Sequence, residues 1–286
     1  MTGHGETRAA VRIVESALCS KAGTPDGGDD LLVVTPHFAA VLDGATDSSG
    51  ATYGGLGAAR FLVEVGARAI AALPPEATAL EAVARMSAAV GEALRETVPS
   101  HPPSRPPCFV FAMYSALRRE VWRVGDPQYL IDGQGHNPEL AVDAVVVKVR
   151  QMVMHAHLLA GSTLETLREG DPGHEAVRPL LELQTHFMNR ADSPYGYGAV
   201  SGGKVPEAFV EIIPVPVEAR EVVLASDGYP QVRATLEESE AWLAWVLEHD
   251  PLLTELHVAA KGWRVGAASF DDRAYLRLDA SRTVRG

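Results

Sequence analysis

A chain of 286 residues with 47% hydrophobic, 22% charged and 6% aromatic side chains has ordinary globular composition, enough for one large domain or two small ones. The formal net charge of −12, with no Lys/Arg-rich block to offset it, excludes a protein that grips a nucleic-acid backbone. Cys19 and Cys108 have neither metal-ligand spacing nor a disulfide pattern, and there is no basic-then-apolar leader or bilayer-length apolar run. A soluble, cytoplasmic protein with no membrane partner is expected.

Residues 1–8 are polar and expected to fray, and 10–18 alternate as a first strand. A Gly/Pro/Asp loop over 20–28 delivers the acidic pair Asp29-Asp30 to the apolar run Leu31-Leu32-Val33-Val34. Residues 38–42 (F-A-A-V-L) form a second apolar run ending in Asp43-Gly44. The Ala/Leu/Val-rich segment 52–73 reads as a helix. Gly54, Gly55 and Gly57 at its start match neither a dinucleotide nor a P-loop fingerprint, and close packing of the helix on a sheet accounts for them better. Pro74-Pro75 breaks the chain before a second helix, 76–97, with Leu80, Val83, Met86, Val90 and Leu94 in one core-facing stripe and Ser87 as its polar member.

A Pro-rich linker (98–107) leads to a strand over 108–117. Residues 120–124 (E-V-W-R-V) alternate and run into Gly125-Asp126, with Tyr129-Leu130-Ile131 as the return strand of a hairpin closed by 133–138. Helices follow over 139–159, from a capping box at Ser162 and Glu165, and over 175–188. His155 and His157 lie two apart on a helix, so they face different ways and read as surface and boundary residues rather than a metal pair. The Gly/Ser/Tyr-rich stretch 189–204 is a substrate-side loop or a plain connection, and 209–217, with Pro214 and Pro216, is an edge strand. The short run Val222-Val223-Leu224-Ala225 reads as a strand buried on both faces, stopped by Asp227-Gly228 and Pro230. Helices over 237–247 and 251–261 precede Asp271-Asp272 and the alternating strand 274–278.

One Asp-Gly after a strand is equally well an ordinary turn. Five acidic strand ends in one chain invite convergence. Carboxylates brought together unpaired repel one another, and a divalent cation removes that penalty; carboxylate-rich, all-oxygen sites suit Mg²⁺ or Mn²⁺. Because these ends span the chain and must share a site, a single domain over 1–286 is expected, with strands at both ends and helix pairs between them giving an α+β class.

In order and context, Asp29-Asp30, Leu42-Asp43-Gly44, Val124-Gly125-Asp126, Ala225-Ser226-Asp227-Gly228 and Asp271-Asp272 resemble the metal-dependent PP2C (PPM) protein phosphatases. The resemblance implies a four-layer α-β-β-α sandwich of two antiparallel sheets flanked by helices, with two Mn²⁺ or Mg²⁺ ions in a cleft. It implies that Asp43 bridges both ions, that the Gly44 carbonyl completes one site, and that Asp227 and Asp271 hold the first ion. Asp29 stands for the acidic ligand of the second, Asp30 for the neighbour that hydrogen-bonds metal waters, and Asp126 for a residue that holds a weaker third ion in several members. Catalysis would run through Asp43, Asp227 and Asp271 by way of a metal-bound water attacking phosphorus, with no protein nucleophile; no Cys-x5-Arg loop, G-x-S-x-G elbow or Ser/His/Asp arrangement is present. Asp272 stands where the family often has Asn.

The departures are specific. Thr24, Pro25 and Asp26 occupy the region of the phosphate-gripping Arg, with Lys21 the nearest cation. Ala45 replaces a His, Gln231 replaces an Asp that partners the third ion, and Pro127-Gln128 replaces Ser-Arg. The resemblance therefore implies a divergent serine/threonine protein phosphatase acting on phosphorylated protein. The alternatives are a small-phosphoester phosphatase and a catalytically weak PP2C-like regulatory or binding module.

Overall fold

The computed structural model describes residues 10–26, 28–45, 49–136 and 140–281; the polar stretch 1–8 lies outside them. Two five-stranded antiparallel sheets face each other. One runs β1 (Ile13–Cys19), β12 (Arg273–Asp279), β11 (Glu221–Ala225), β8 (Gln128–Ile131), β9 (Gln134–His136). The other runs β10 (Glu211–Pro214), β7 (Glu120–Val124), β6 (Phe109–Ser115), β3 (Phe38–Gly44), β2 (Leu31–Val34).

Side chains alternate across a strand, so a strand buried on both faces must be apolar throughout. In β3, Ala39 and Val41 point into the space between the sheets, where Ala112 and Val121 meet Val222, Leu224, Leu276 and Leu278 of the opposite sheet. Phe38, Ala40 and Leu42 point the other way, onto Leu62 and Ile70 of α1 (Ala58–Ala71) and Val83, Met86 and Val90 of α2 (Ala79–Glu96). On the far side, Val223, Ala225 and Tyr275 pack on Leu243, Val246 and Leu247 of α6 (Leu236–His249). The layers are helix, sheet, sheet, helix. The helices α3 (Ala141–Leu159), α4 (Leu164–Gly170) and α5 (Pro172–Gln184) lie between β9 and β10 in the chain. No helix among the described residues is long and apolar enough to cross a membrane.

Several local expectations change. Residues 52–57 are a hairpin, β4 (Thr52–Tyr53) and β5 (Leu56–Gly57), not the start of α1. Gly54 and Gly55 supply positive φ angles of 57° and 88°, and a Cβ on either would meet nothing within 4 Å, so these glycines serve the turn rather than helix packing. The second helix begins at Ala79 behind a Thr78/Glu81 capping box; Leu80 is 40% exposed, and Ala79 and Ala82 take its place against the sheet. The α4 cap is Thr163, one residue beyond Ser162, and α5 begins at Pro172. Gly125-Asp126 is not a hairpin turn: β7 and β8 belong to different sheets, and the chain crosses between them there. Gly125 has φ 86°, and a Cβ on it would come within 2.3 Å of Val110 Cγ1.

The segment 251–261 is not helical. The Asp250 carboxylate accepts the backbone N–H groups of Thr254, Glu255, Leu256 and His257, which a helix would direct to carbonyls. Arg150 of α3 takes the carbonyls of Leu252, Leu253 and Ala259. Two side chains thus replace the helical ladder with a strap.

Candidate metal centre

Strand register brings the acidic positions to one edge of the two sheets. Leu31 pairs with Leu42, which sets Asp30 opposite Asp43 at the joined ends of β2 and β3. In the facing sheet Ala225 pairs with Tyr275, and the next rung is closed by Ser226 N–H to the Ala274 carbonyl at 3.1 Å and Ala274 N–H to Ser226 Oγ at 2.9 Å. Asp227 and Asp271-Asp272 follow directly on these two strands. Gly228 is required there, since a Cβ would lie 1.9 Å from the Asp272 carbonyl oxygen. Gly44 is buried at the end of β3, where a Cβ would lie 2.6 Å from the Asp29 carbonyl oxygen and 2.9 Å from Ala59 Cβ.

The carboxyls feel one another. Asp43 is pushed well above the ordinary carboxylate range by desolvation, then by the charges of Asp227, Asp30, Asp126 and Asp271. Asp30 is buried and likewise raised, by desolvation and by Asp271, Asp227 and Asp272, against a hydrogen bond from the Ser226 hydroxyl. Asp126 rises to about 8 through desolvation, Asp227 and Asp143. Asp227 opens onto solvent yet rises to about 6, through crowding by protein atoms and the Asp271 charge; Lys261 and a side-chain hydrogen bond with Asp43 oppose the rise. The backbone of Asp29 reaches the same edge, its N–H donating to Asp272 Oδ2 at 3.0 Å. Asp272 also accepts the Lys21 N–H at 2.7 Å and faces its ammonium at 3.6 Å, so it anchors the 21–29 loop.

Two members of this cluster carry no motif. Asp143, in the first turn of α3, is held by Gln184 Nε2 at 2.8 Å, and its charge reaches Asp126 and Asp227. An acidic residue in a first helical turn is so common that spacing does not distinguish it. Lys261, from the 250–262 strap, forms an ion pair with Asp271, and its ammonium is favoured by Asp271, Asp227 and Asp43 in turn, although desolvation opposes the charge. The 189–204 stretch comes near the cluster through Tyr197, whose hydroxyl is raised by burial and feels Cys108, Asp143 and Asp126. The histidines stay apart: His155 pairs with Glu255 at 2.8 Å and His157 is exposed.

Hard divalent ions suit this donor set. It is all oxygen and crowded with like charges, and the buried Asp30 Oδ2 has no hydrogen-bond partner. Among the described residues, however, no three Asp, Glu, His or Cys side chains are arranged to hold a metal ion. Instead Asp227 hydrogen-bonds to Asp43, and Asp271 pairs with Lys261.

No protein-family model matches the sequence, and no curated protein matches it. Solved structures do. Serine/threonine phosphatase Stp1 from Staphylococcus aureus superposes with a TM-score of 0.50 at 10% identity, over 99% of this chain and 100% of that one. The fold is that of the PPM/PP2C phosphatases. The serine/threonine phosphatase PstP/Ppp of Mycobacterium tuberculosis matches with a TM-score of 0.48 at 14% identity, covering 96% of this chain and 100% of that one. A PstP catalytic domain in complex with two manganese ions matches with a TM-score of 0.44 at 13% identity, covering 94% and 97%. At such identities a likeness establishes fold alone. In this PPM/PP2C fold the acidic edge lies where strand ends of both sheets meet.

Proposed function

We propose that the chain is a Mn²⁺- or Mg²⁺-dependent phosphomonoesterase of PP2C type acting on phosphoserine or phosphothreonine in proteins. The observation that carries this is the gathering of Asp30, Asp43, Asp126, Asp227 and Asp271, from both sheets, within reach of one another's charge. Asp43, central to the group, would serve both ions, and the Gly44 carbonyl beside it would complete one site. Asp227 and Asp271 would hold the first ion, and Asp29 and Asp30 would serve the second. Asp126 would serve a weaker third, with Asp143 near it. Bound divalent ions would supply charge neutralisation at the phosphoryl oxygens and a lowered pKa for water.

The chain's own residues hold the carboxylates in place. Gly44 and Gly228 allow backbones to abut where a side chain would collide. Ser226 hydrogen-bonds to Asp30, and Asp272 clamps the loop that delivers Asp29. The test is hydrolysis of an aryl phosphate and a phosphothreonine peptide with Mn²⁺ and with chelator. Turnover that survives chelation, or that Asp43→Asn leaves unchanged, refutes the proposal.

A second reading, a PP2C-like module with weak or no turnover, is favoured by one observation. Lys21 and Lys261, the lysines beside the acidic edge, are both engaged, on Asp272 and Asp271. Metal binding without turnover on any phosphoester would select it.

A further inference from the structure

The Lys261 ammonium meets Asp271 directly and lies where the charges of Asp227 and Asp43 also reach it. Asp227 and Asp271 are the two carboxylates to which the proposed function gives the first ion. An ammonium offers three donors and one positive charge, and a carboxylate lone pair that accepts its proton is not free for a cation. We infer that Lys261 places a positive charge at this centre in competition with the divalent ion at Asp227 and Asp271. The native chain then takes up that first ion more weakly than the same chain without that ammonium.

The placement of Lys261 is built rather than incidental. It sits on the 250–262 strap that departs from helix, between two fixed points. Ala259 gives its carbonyl to Arg150 Nη1 at 3.1 Å, and Gly262 donates its N–H to Asp171 Oδ2 at 2.7 Å. A Cβ at position 262 would come within 2.6 Å of Arg150 Nη2, so the backbone is pressed against the buried guanidinium immediately after the lysine. One ammonium does not balance the carboxylates gathered here. An ion at the Asp29, Asp30 and Asp43 side remains favoured, whereas an ion at Asp227 and Asp271 must first evict Lys261.

The inference rests on the metal-dependent reading, and the experiment separates the two. Mn²⁺ is titrated calorimetrically into the chelator-stripped full chain, native and with Lys261→Met, Lys261→Gln or Lys261→Arg, each checked for a native melt by circular dichroism. Native protein and Lys261→Arg are expected to bind one fewer tight Mn²⁺ than Lys261→Gln and Lys261→Met, or to bind the corresponding ion about tenfold or more weakly. If the native chain already binds two ions tightly and Lys261→Gln does not change this, the inference falls and the metal reading stands. If neither native protein nor Lys261→Gln binds Mn²⁺, both fall. Lys261→Gln keeps the side chain long and polar, so the comparison holds even if Lys261→Met does not fold.

Discussion

Arg150→Met tests whether the strap is held as described. The guanidinium is fully buried, and all five of its N–H groups are used. Nε donates to Asp171 Oδ1 at 3.1 Å and Nη2 to Asp171 Oδ2 at 3.2 Å. Nη2 also reaches the Leu252 carbonyl at 2.8 Å, and Nη1 reaches those of Leu253 at 3.0 Å and Ala259 at 3.1 Å. Methionine fills much of the same space with no donor. It leaves the Asp171 carboxylate, itself buried, without its counter-charge. Removing one partner of a buried ion pair costs about 3–5 kcal/mol, and each stranded carbonyl about 1 kcal/mol more where it stays dry. The carbonyls of Leu252 and Leu253 are buried, while that of Ala259 is only partly so and able to recruit water, so the expected loss is roughly 5–7 kcal/mol. On a total of about 5–15 kcal/mol that is severe, and it corresponds to a fall in Tm of roughly 10 °C or more. Urea denaturation followed by circular dichroism measures it. Arg150→Met/Asp171→Asn should recover part of the loss, because the second change removes the orphaned charge. A loss below about 1 kcal/mol for Arg150→Met would refute this account of the strap.

Asp43→Asn should raise the Tm of the metal-free protein while abolishing Mn²⁺-stimulated turnover. Asp43 has a raised folded pKa, so above the unfolded carboxylate range its ionisation works against the fold, and Asn removes that cost; melts in chelator against pH check it. His257, half-buried against Phe270 at a ring separation of 5.2 Å, is depressed to about 4 by desolvation, with Asp250 pulling the other way. Between that value and the unfolded value near 6.5 only the unfolded chain takes up the proton, so stability falls as pH drops through this window; His257→Phe should flatten that part of the profile. Gly228→Ala forces a Cβ to 1.9 Å from the Asp272 carbonyl oxygen, so it should weaken Mn²⁺ binding measured calorimetrically as well as lowering the Tm. Saturating Mn²⁺ should raise the melting point of native protein, by about 2.7 kcal/mol of added stability at a hundredfold excess over Kd, and chelator should reverse it.

The layers and the acidic edge were legible because each depends on a local pattern that survives tertiary packing. A run such as Phe38 to Leu42 admits a strand buried on both faces and little else, and its end fixes where Asp43 stands. The same holds for Val222 to Ala225 before Asp227. What local pattern does not contain is pairing. Val121 to Val124 and Tyr129 to Ile131 look like the arms of a hairpin because the gap between them is short. Yet the strands flanking Gly125 lie in different sheets: β7 pairs with its neighbour β6 and with the distant β10, and β8 pairs with the distant β11. Thr52 to Gly57 misleads for the opposite reason, two adjacent glycines giving a turn that an alanine-rich context disguises as a helix start.

The segment that departs furthest from its sequence expectation also brings in Lys261, one of the two cluster members without a motif. Residues 251–261 have helical composition, and nothing in their periodicity announces that Asp250 takes up four of their N–H groups and Arg150 three nearby carbonyls. Once the backbone is satisfied by side chains, its path is set by Arg150, Asp171 and Asp250, all distant from the metal motifs in sequence. That path brings Lys261 to Asp271. A helix over the same residues would send its side chains around a cylinder, with no reason for one lysine to meet a carboxylate at the strand ends. The strap therefore has a consequence for chemistry as well as stability: it fixes a positive charge where the acidic edge is most crowded. A substitution that loosens it, such as Arg150→Met, should raise Mn²⁺ uptake in the same direction as Lys261→Gln even though Arg150 touches none of the proposed ligands.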